Sequence, residues 1–144
     1  MEDLPASFWE GVREFQQGKF YECHDTLEAI WIEAQEPNKT FFQGILQIAV
    51  ACYHLGNQNW RGAVILLGEG IRRLSPYQPD YGNIDINDLL DTSSALLSHL
   101  QTAGAERVAE YSALIQGYGS ETLEKSAEAE MLPRLRQVAT PQNH

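Results

Sequence analysis

The sequence predicts an all-α protein, a compact bundle of about five or six helices joined by short antiparallel connections. Three observations predict it. Apolar residues recur at helical spacing along most of the chain, and no stretch alternates with the period of two that marks a half-buried strand. Helix-breaking residues fall at Gly18, Gln35-Glu36-Pro37-Asn38, Gly56-Asn57-Gln58-Asn59, Ser75 to Asn83, and Gly104. The turns between consecutive helices are short, which makes those helices antiparallel neighbours.

The first helix is expected from Pro5 or Ala6 to Gln17, with Phe8, Trp9, Val12 and Phe15 on one face. Proline suits an early helical position, and Gly18 ends the helix. The second covers Phe20 to Ala34 and stops before Pro37. The third runs from Thr40 to Leu55 and the fourth from Trp60 to Leu74. A loop rich in Pro, Tyr and Gly occupies residues 75–83. Asp85 is the expected N-cap of a fifth helix, with Asp88 three residues on in a box-like position. Ile86, Leu89, Leu90, Leu96, Leu97 and Leu100 form its apolar stripe, and Gly104 ends it. A shorter helix carries Val108, Tyr111, Leu114 and Ile115. From Gly117 the chain is polar, with room for one weak helix up to Met131 and an expectation that its last residues fray. Residues 1–144 are read as a single domain in which 117–144 form a weakly structured extension. Consecutive helix pairs also suggest a tetratricopeptide-like array, but no clear second copy occurs at that period.

Hydrophobic residues make up 43% of the chain and charged residues 21%, which argues against wholesale disorder. At 144 residues the chain needs neither metal nor disulfides merely to hold a core. Its net charge of -10 argues against nucleic acid and against an anionic membrane surface as partners. The acidity is uneven: residues 1–36 carry net -7, residues 37–79 net +3, and residues 80–144 net -6. Cys23 and Cys52 lie in apolar stretches and read as buried free thiols. The acidic N-terminus shows no signal-peptide pattern, and the longest apolar run is too short to span a bilayer, so a cytoplasmic protein is expected.

The third helix carries the best clue to function. At about 100° per residue, every direction around it is apolar or small except one, where Gln43, Gln47 and His54 align beside Val50. The second helix offers His24 and Glu28 one turn apart, Trp31 below them, and Glu22 and Asp25 further round. A pocket built by Glu22, His24, Glu28, Trp31, Gln43, Gln47 and His54 is therefore expected between the two helices.

Three readings of that cluster compete. It is a buried hydrogen-bond network that fixes helix register. It is a divalent-metal site of His24, Glu28 and His54. Or it is a small-molecule pocket, the ligand unknown, in which His24 or His54 serves as acid or base. His99 and His144 are outside this cluster. Arg72 and Arg73 suit the C-terminal end of the fourth helix, with anion binding as the alternative. Gly62, Gly68 and Gly70 read as places of close helix approach. The alternative function class is a structural or protein-interaction module, with homo-oligomerisation open and the N-terminal aromatics, Tyr77 and Tyr81 as its surface.

The run from Gly18 through Phe20, Tyr21, Glu22, Cys23, His24, Asp25, Leu27 and Glu28 to Trp31 resembles the opening signature of domain-of-unknown-function family 309 (DUF309). Phe42-Gln43-Gly44-Ile45-Leu46-Gln47 through His54, then Asn59 and Gly62-Ala63, resembles the family's second block. Tyr77 through Gly82 to Asp85 resembles a third, looser one, and the likeness spans about residues 8–100. Asp25 stands where that pattern has Glu. Gln58 stands where Gly commonly precedes the Asn, which is expected to loosen the turn. The resemblance implies a compact all-helical domain and the importance of the two blocks. It implies no reaction.

Overall fold

A computed structural model describes residues 4–138. Its architecture is all-α, with seven α-helices among the described residues rather than five or six. α1 is Ala6–Gln16, α2 Phe20–Glu33, α3 Asn38–Gly56, α4 Trp60–Leu74, α5 Ile86–Ala103, α6 Val108–Gln116 and α7 Glu121–Glu124. The last of these, α7, lies where one weak helix up to Met131 is expected, and it is a single turn capped by the Ser120 hydroxyl, which accepts from Leu123 N at 3.1 Å. The sparse apolar pattern of that segment gives it no periodic signal.

α3 is the centre. Phe41, Phe42, Ile45, Ile48, Ala49, Ala51, Cys52 and Leu55 are all buried, as a helix apolar nearly all round requires. α2 and α4 flank it, both antiparallel. Lys39 at the start of α3 reaches Trp31 at the end of α2, while Tyr53 near its end meets Tyr21. On the other side, Gly44 faces Leu74 and Ile48 faces Gly70. Phe8 of α1 packs on Phe41 and Phe42 with ring centroids 5.7 and 5.5 Å apart.

Gly70 lies close against the backbone of α3. A Cβ there meets Ile48 Cγ1 at 2.6 Å and the Gly44 carbonyl oxygen at 2.9 Å. Gly68 differs: its nearest neighbour is Leu97 Cδ2 at 4.0 Å, so no close approach explains it.

Two local departures have plain causes. The loop after α4 contains a two-stranded hairpin, Asp80–Tyr81 against Ile84–Asp85. Its turn places Gly82 at φ 53° and Asn83 at φ 67°, residue types that accept the left-handed region. Asp85 does cap α5, its Oδ1 accepting from Asp88 N at 3.0 Å. The Asp88 carboxylate does not close a reciprocal box. It accepts instead from Arg134, Nη2 at 2.6 Å and Nε at 3.3 Å, and pairs in charge with Arg136, whose Nε lies 3.2 Å away.

Those two arginines belong to the segment after Gly117. It has little regular structure, yet it is tied down. Leu132 and Leu135 are buried in the core, and Gln16 of α1 donates to the Leu135 carbonyl. Asp85 N donates to Arg136 O, and Val138 N to Asn83 O. Nothing local in the sequence marks these contacts, because each joins distant positions. The expectation of frayed last residues falls on 139–144, outside the described residues.

Cys23 and Cys52 are free and buried. Burial, with the Glu14 carboxylate nearby, pushes the Cys23 thiol up to about 12, and burial moves Cys52 in the same direction. Both are packing thiols rather than nucleophiles. Among the described residues, no helix is long and apolar enough to cross a membrane.

Candidate functional site

The half-buried polar stripe of α3 forms the floor of a cleft whose walls are α2 and α4. Its volume is ≈ 270 Å³. Glu28 and Trp31 enter from α2; Gln43, Leu46, Gln47 and Val50 come from α3, and Leu66 from α4. Half-buried apolar side chains thus alternate with amides and one carboxylate.

On the α2 wall, His24 is bracketed by carboxylates. Its Nε2 lies 3.2 Å from Glu28 Oε2 and its Nδ1 3.3 Å from Asp25 Oδ1. Trp31 lines the cleft, and its indole N–H is buried without a hydrogen-bond partner. Lys39 Nζ sits 4.7 Å from the Trp31 ring centroid and donates to the Trp31 carbonyl at 3.0 Å. It thereby supplies the cation that the last turn of α2 lacks.

On the α4 wall the polar groups are satisfied within the protein. Arg73 Nε donates to Gln47 Oε1 at 3.0 Å, and Gln47 Nε2 donates to Glu69 Oε2 at 3.4 Å. This chain staples α3 to α4 beside the cleft. Arg73 is thus engaged with an amide rather than held free for an anion.

His54 stands apart. Its Nδ1 is 3.3 Å from Asn59 Nδ2, while Asn59 Oδ1 accepts from Gly62 N at 2.9 Å and caps α4. A Cβ at Gly62 would lie 2.6 Å from Asn59 Nδ2 and 3.0 Å from His54 Cδ2, so this helix start needs a glycine. The spacing from His54 through Asn59 to Gly62 is a capping device.

The turn before it closes tightly despite Gln58, with Asn59 N donating to His54 O at 2.8 Å. Gln58 accomplishes this at φ 60°, the left-handed region where a side chain costs about 1–2 kcal/mol. Gln58→Gly is expected to raise stability by about 0.5–1 kcal/mol, after allowing for glycine's larger entropy loss. Urea denaturation checks it; a lower midpoint would show that Gln58 makes a compensating contact.

The expected site residues therefore separate. Glu28, Trp31, Gln43 and Gln47 line one cleft, and His24 joins it through Glu28. Glu22 is exposed in the first turn of α2, away from the lining. The trio His24, Glu28 and His54 does not assemble as a metal site. Among the described residues no three His, Cys, Asp or Glu side chains gather as a ligand set. The physical reason is that the α3 stripe leans toward α4, where His54 is held by Asn59. Leu46 and Leu66 were not foreseen as lining, since nothing local distinguishes them from core leucines. The signal for Arg73 and Glu69 lay in Gln47, a buried amide that needed partners.

Tyr77 and Tyr81 turn inward. Their hydroxyls donate to Pro37 O and to Asn38 Oδ1, both at 2.6 Å, and their rings pack on Phe41. Phe8 and Phe15 are fully buried. These aromatics serve the core rather than an outer surface.

The family model described as domain of unknown function (DUF309) matches residues 8–66, which run from α1 into α4 and include the cleft. The chain is also similar to the uncharacterized protein YpuF of Bacillus subtilis (strain 168). Identity is 30% over 131 residues, covering 88% of this chain and 72% of that protein.

Proposed function

The chain belongs to the DUF309 family, whose description assigns no activity, and on that premise we propose that it is a small-molecule-binding domain whose site is the cleft between α2, α3 and α4. The observation that carries this reading is the Trp31 indole N–H. A buried donor without a partner costs about 1–3 kcal/mol, and such a group at a cleft is accounted for when a ligand acceptor meets it.

The surrounding groups define the ligand's chemistry. Leu46, Val50 and Leu66 receive a flat or branched apolar body. Gln43 offers an amide with both donor and acceptor capacity. The Glu28 carboxylate faces His24 on one side and has acceptor positions left for a hydroxyl or amine. A volume of ≈ 270 Å³ lies just below the usual range of about 300–1,000 Å³ for ligand pockets, so the molecule is the size of a single ring system. Gln47, Arg73, Glu69, His54 and Asn59 have structural partners and fix α4 against α3.

Trp31→Phe separates the two roles of this residue. It removes the orphaned donor while keeping an aromatic ring, so stability is expected to stay within about 1 kcal/mol of the parent. Ligand binding is expected to fall at least about tenfold, the value of one lost hydrogen bond in a dry site. A fragment library screened by 15N–1H correlation spectroscopy gives the readout, because the Trp31 indole resonance reports directly on the cleft. If no fragment moves the Trp31 and Gln43 resonances together, the cleft is not a binding site and the polar cluster is a structural network alone.

A further inference from the structure

We infer that the outer face of α2, α3 and α4 is the surface through which two copies of this chain associate, with the α2 of one copy lying over the α4 of the other. This goes beyond ligand binding and does not rest on it.

The first observation is where exposed apolar surface lies. Tyr21 (52% exposed), Ile32 (61%), Tyr53 (39%) and Ile65 (48%) are the exposed large hydrophobics among the described residues. All four belong to α2, α3 or α4. Their spacing puts them on the outer side. On α2, Tyr21 and Ile32 share a ridge with Asp25 and Glu28, at steps of four, three and four residues. On α4, Ile65 shares the equivalent ridge with Arg61 and Arg72. Tyr53 joins Tyr21 across the floor, ring centroids 5.4 Å apart. Apolar side chains clustered on one face and rimmed by charge mark an association surface.

The second observation is charge. α2 carries Glu22, Asp25, Glu28 and Glu33 and no Lys or Arg. α4 carries Arg61, Arg72 and Arg73 against Glu69 alone. One wall of the face is thus negative and the other positive. A two-fold axis along α3 lays each negative wall on the partner's positive wall. The axis at right angles to it, still in the plane of the face, lays α2 on α2 and opposes like charges. The sequence thus favours one isologous arrangement over its main competitor.

The third is area. Helices of about 15 residues are about 22 Å long and pack 8–10 Å apart, so this face offers about 600 Å² per copy. Two copies bury about 1,200 Å², the lower limit for a specific interface. Association is therefore expected at micromolar rather than nanomolar concentration, and it should weaken as salt screens the two walls.

Sedimentation velocity on the full chain tests this with charge reversals at exposed positions. Glu22→Lys with Asp25→Lys and Glu33→Lys makes α2 positive; Arg61→Glu with Arg72→Glu makes α4 negative. Each is expected to raise the dimer dissociation constant at least about tenfold, with helical circular dichroism unchanged. A mixture of the two variants carries two complementary wall pairs per heterodimer and should associate again, and the chain carrying all five changes tests the same complementarity within one sequence. It has both walls inverted, and it should dimerise again to within about threefold of the parent. A parent chain that stays monomeric at several hundred micromolar (about the reach of a micromolar interface) overturns the proposal. So does a dimer that ignores both reversals. A monomer whose Trp31 indole still responds to fragments overturns the dimer and leaves the ligand site standing.

Discussion

Gly70→Ala is expected to destabilise the protein by about 2–3 kcal/mol, while Gly68→Ala, two positions away on the same helix, is expected to stabilise it by up to about 1 kcal/mol. Both changes add one methyl group and the same helix propensity. The difference lies in what the methyl meets. At Gly70 it stands 2.6 Å from Ile48 Cγ1, 2.9 Å from Gly44 O and 3.3 Å from Ile48 N. Two of those atoms are backbone, so the helices themselves must separate. That separation also pulls Arg73 from Gln47 and widens the cleft. At Gly68 the nearest atom is 4.0 Å away, and the gain in backbone entropy is kept. Denaturant midpoints of the two variants, compared at matched slope, check the pair. Equal shifts in the same direction would sink the claim that α3 and α4 are in backbone contact at Gly70.

Asp88→Ala is expected to cost about 2–4 kcal/mol, a large effect for a residue in the first turn of a helix. Its side chain is only 11% exposed, accepts two hydrogen bonds from Arg134 and forms an ion pair with Arg136. Removing it leaves Arg134, itself partly buried, without its carboxylate, and an uncompensated charge is costlier than a missing pair. The hydrogen bond from Arg134 N to Thr92 Oγ1 and the burial of Leu132 and Leu135 depend on the same docking. Limited proteolysis distinguishes release from mere weakening. Cleavage within residues 119–131 should accelerate well ahead of cleavage in α2–α4. If stability falls with no change in the cleavage pattern, Asp88 acts on α5 alone.

The two predictions mark what could and could not be read from residues in order. α1 to α5 were legible because each has a local start and stop: Pro5, Gly18, Asn59, Asp85 and Gly104 act within a few positions. The observed α4, Trp60–Leu74, has the bounds that its pattern implies. Asp88 fits a local box, being an acid three residues past an N-cap, whereas its partners Arg134 and Arg136 are 46 and 48 positions away. Leu132 and Leu135 were missed for the same reason. Among the cleft residues, Glu28, Trp31, Gln43 and Gln47 could be found because helical spacing stacks them on facing edges. Their relation to α4 could not. The stripe on α3 lies between two antiparallel neighbours, and chain adjacency pointed to α2, whereas Gln47 is bound by Arg73, 26 positions on. His54 shows the opposite case. It aligned with the stripe by angle, but its partner was the nearby Asn59, in a cap that spacing alone spells out.

The tie between Gln16 and Leu135 spans 119 positions, and it bears on the order of events during synthesis. α1 through α4, with the cleft complete, leave the ribosome before residues 132–138 have been made. In that interval the places of Leu132 and Leu135 stand open to water, and Asp88 has no counter-charge. A nascent chain of this protein therefore passes through a stage at which its cleft is formed and its opposite side is unsealed. The surface offered to chaperones at that stage is the one the last segment later covers, away from the cleft.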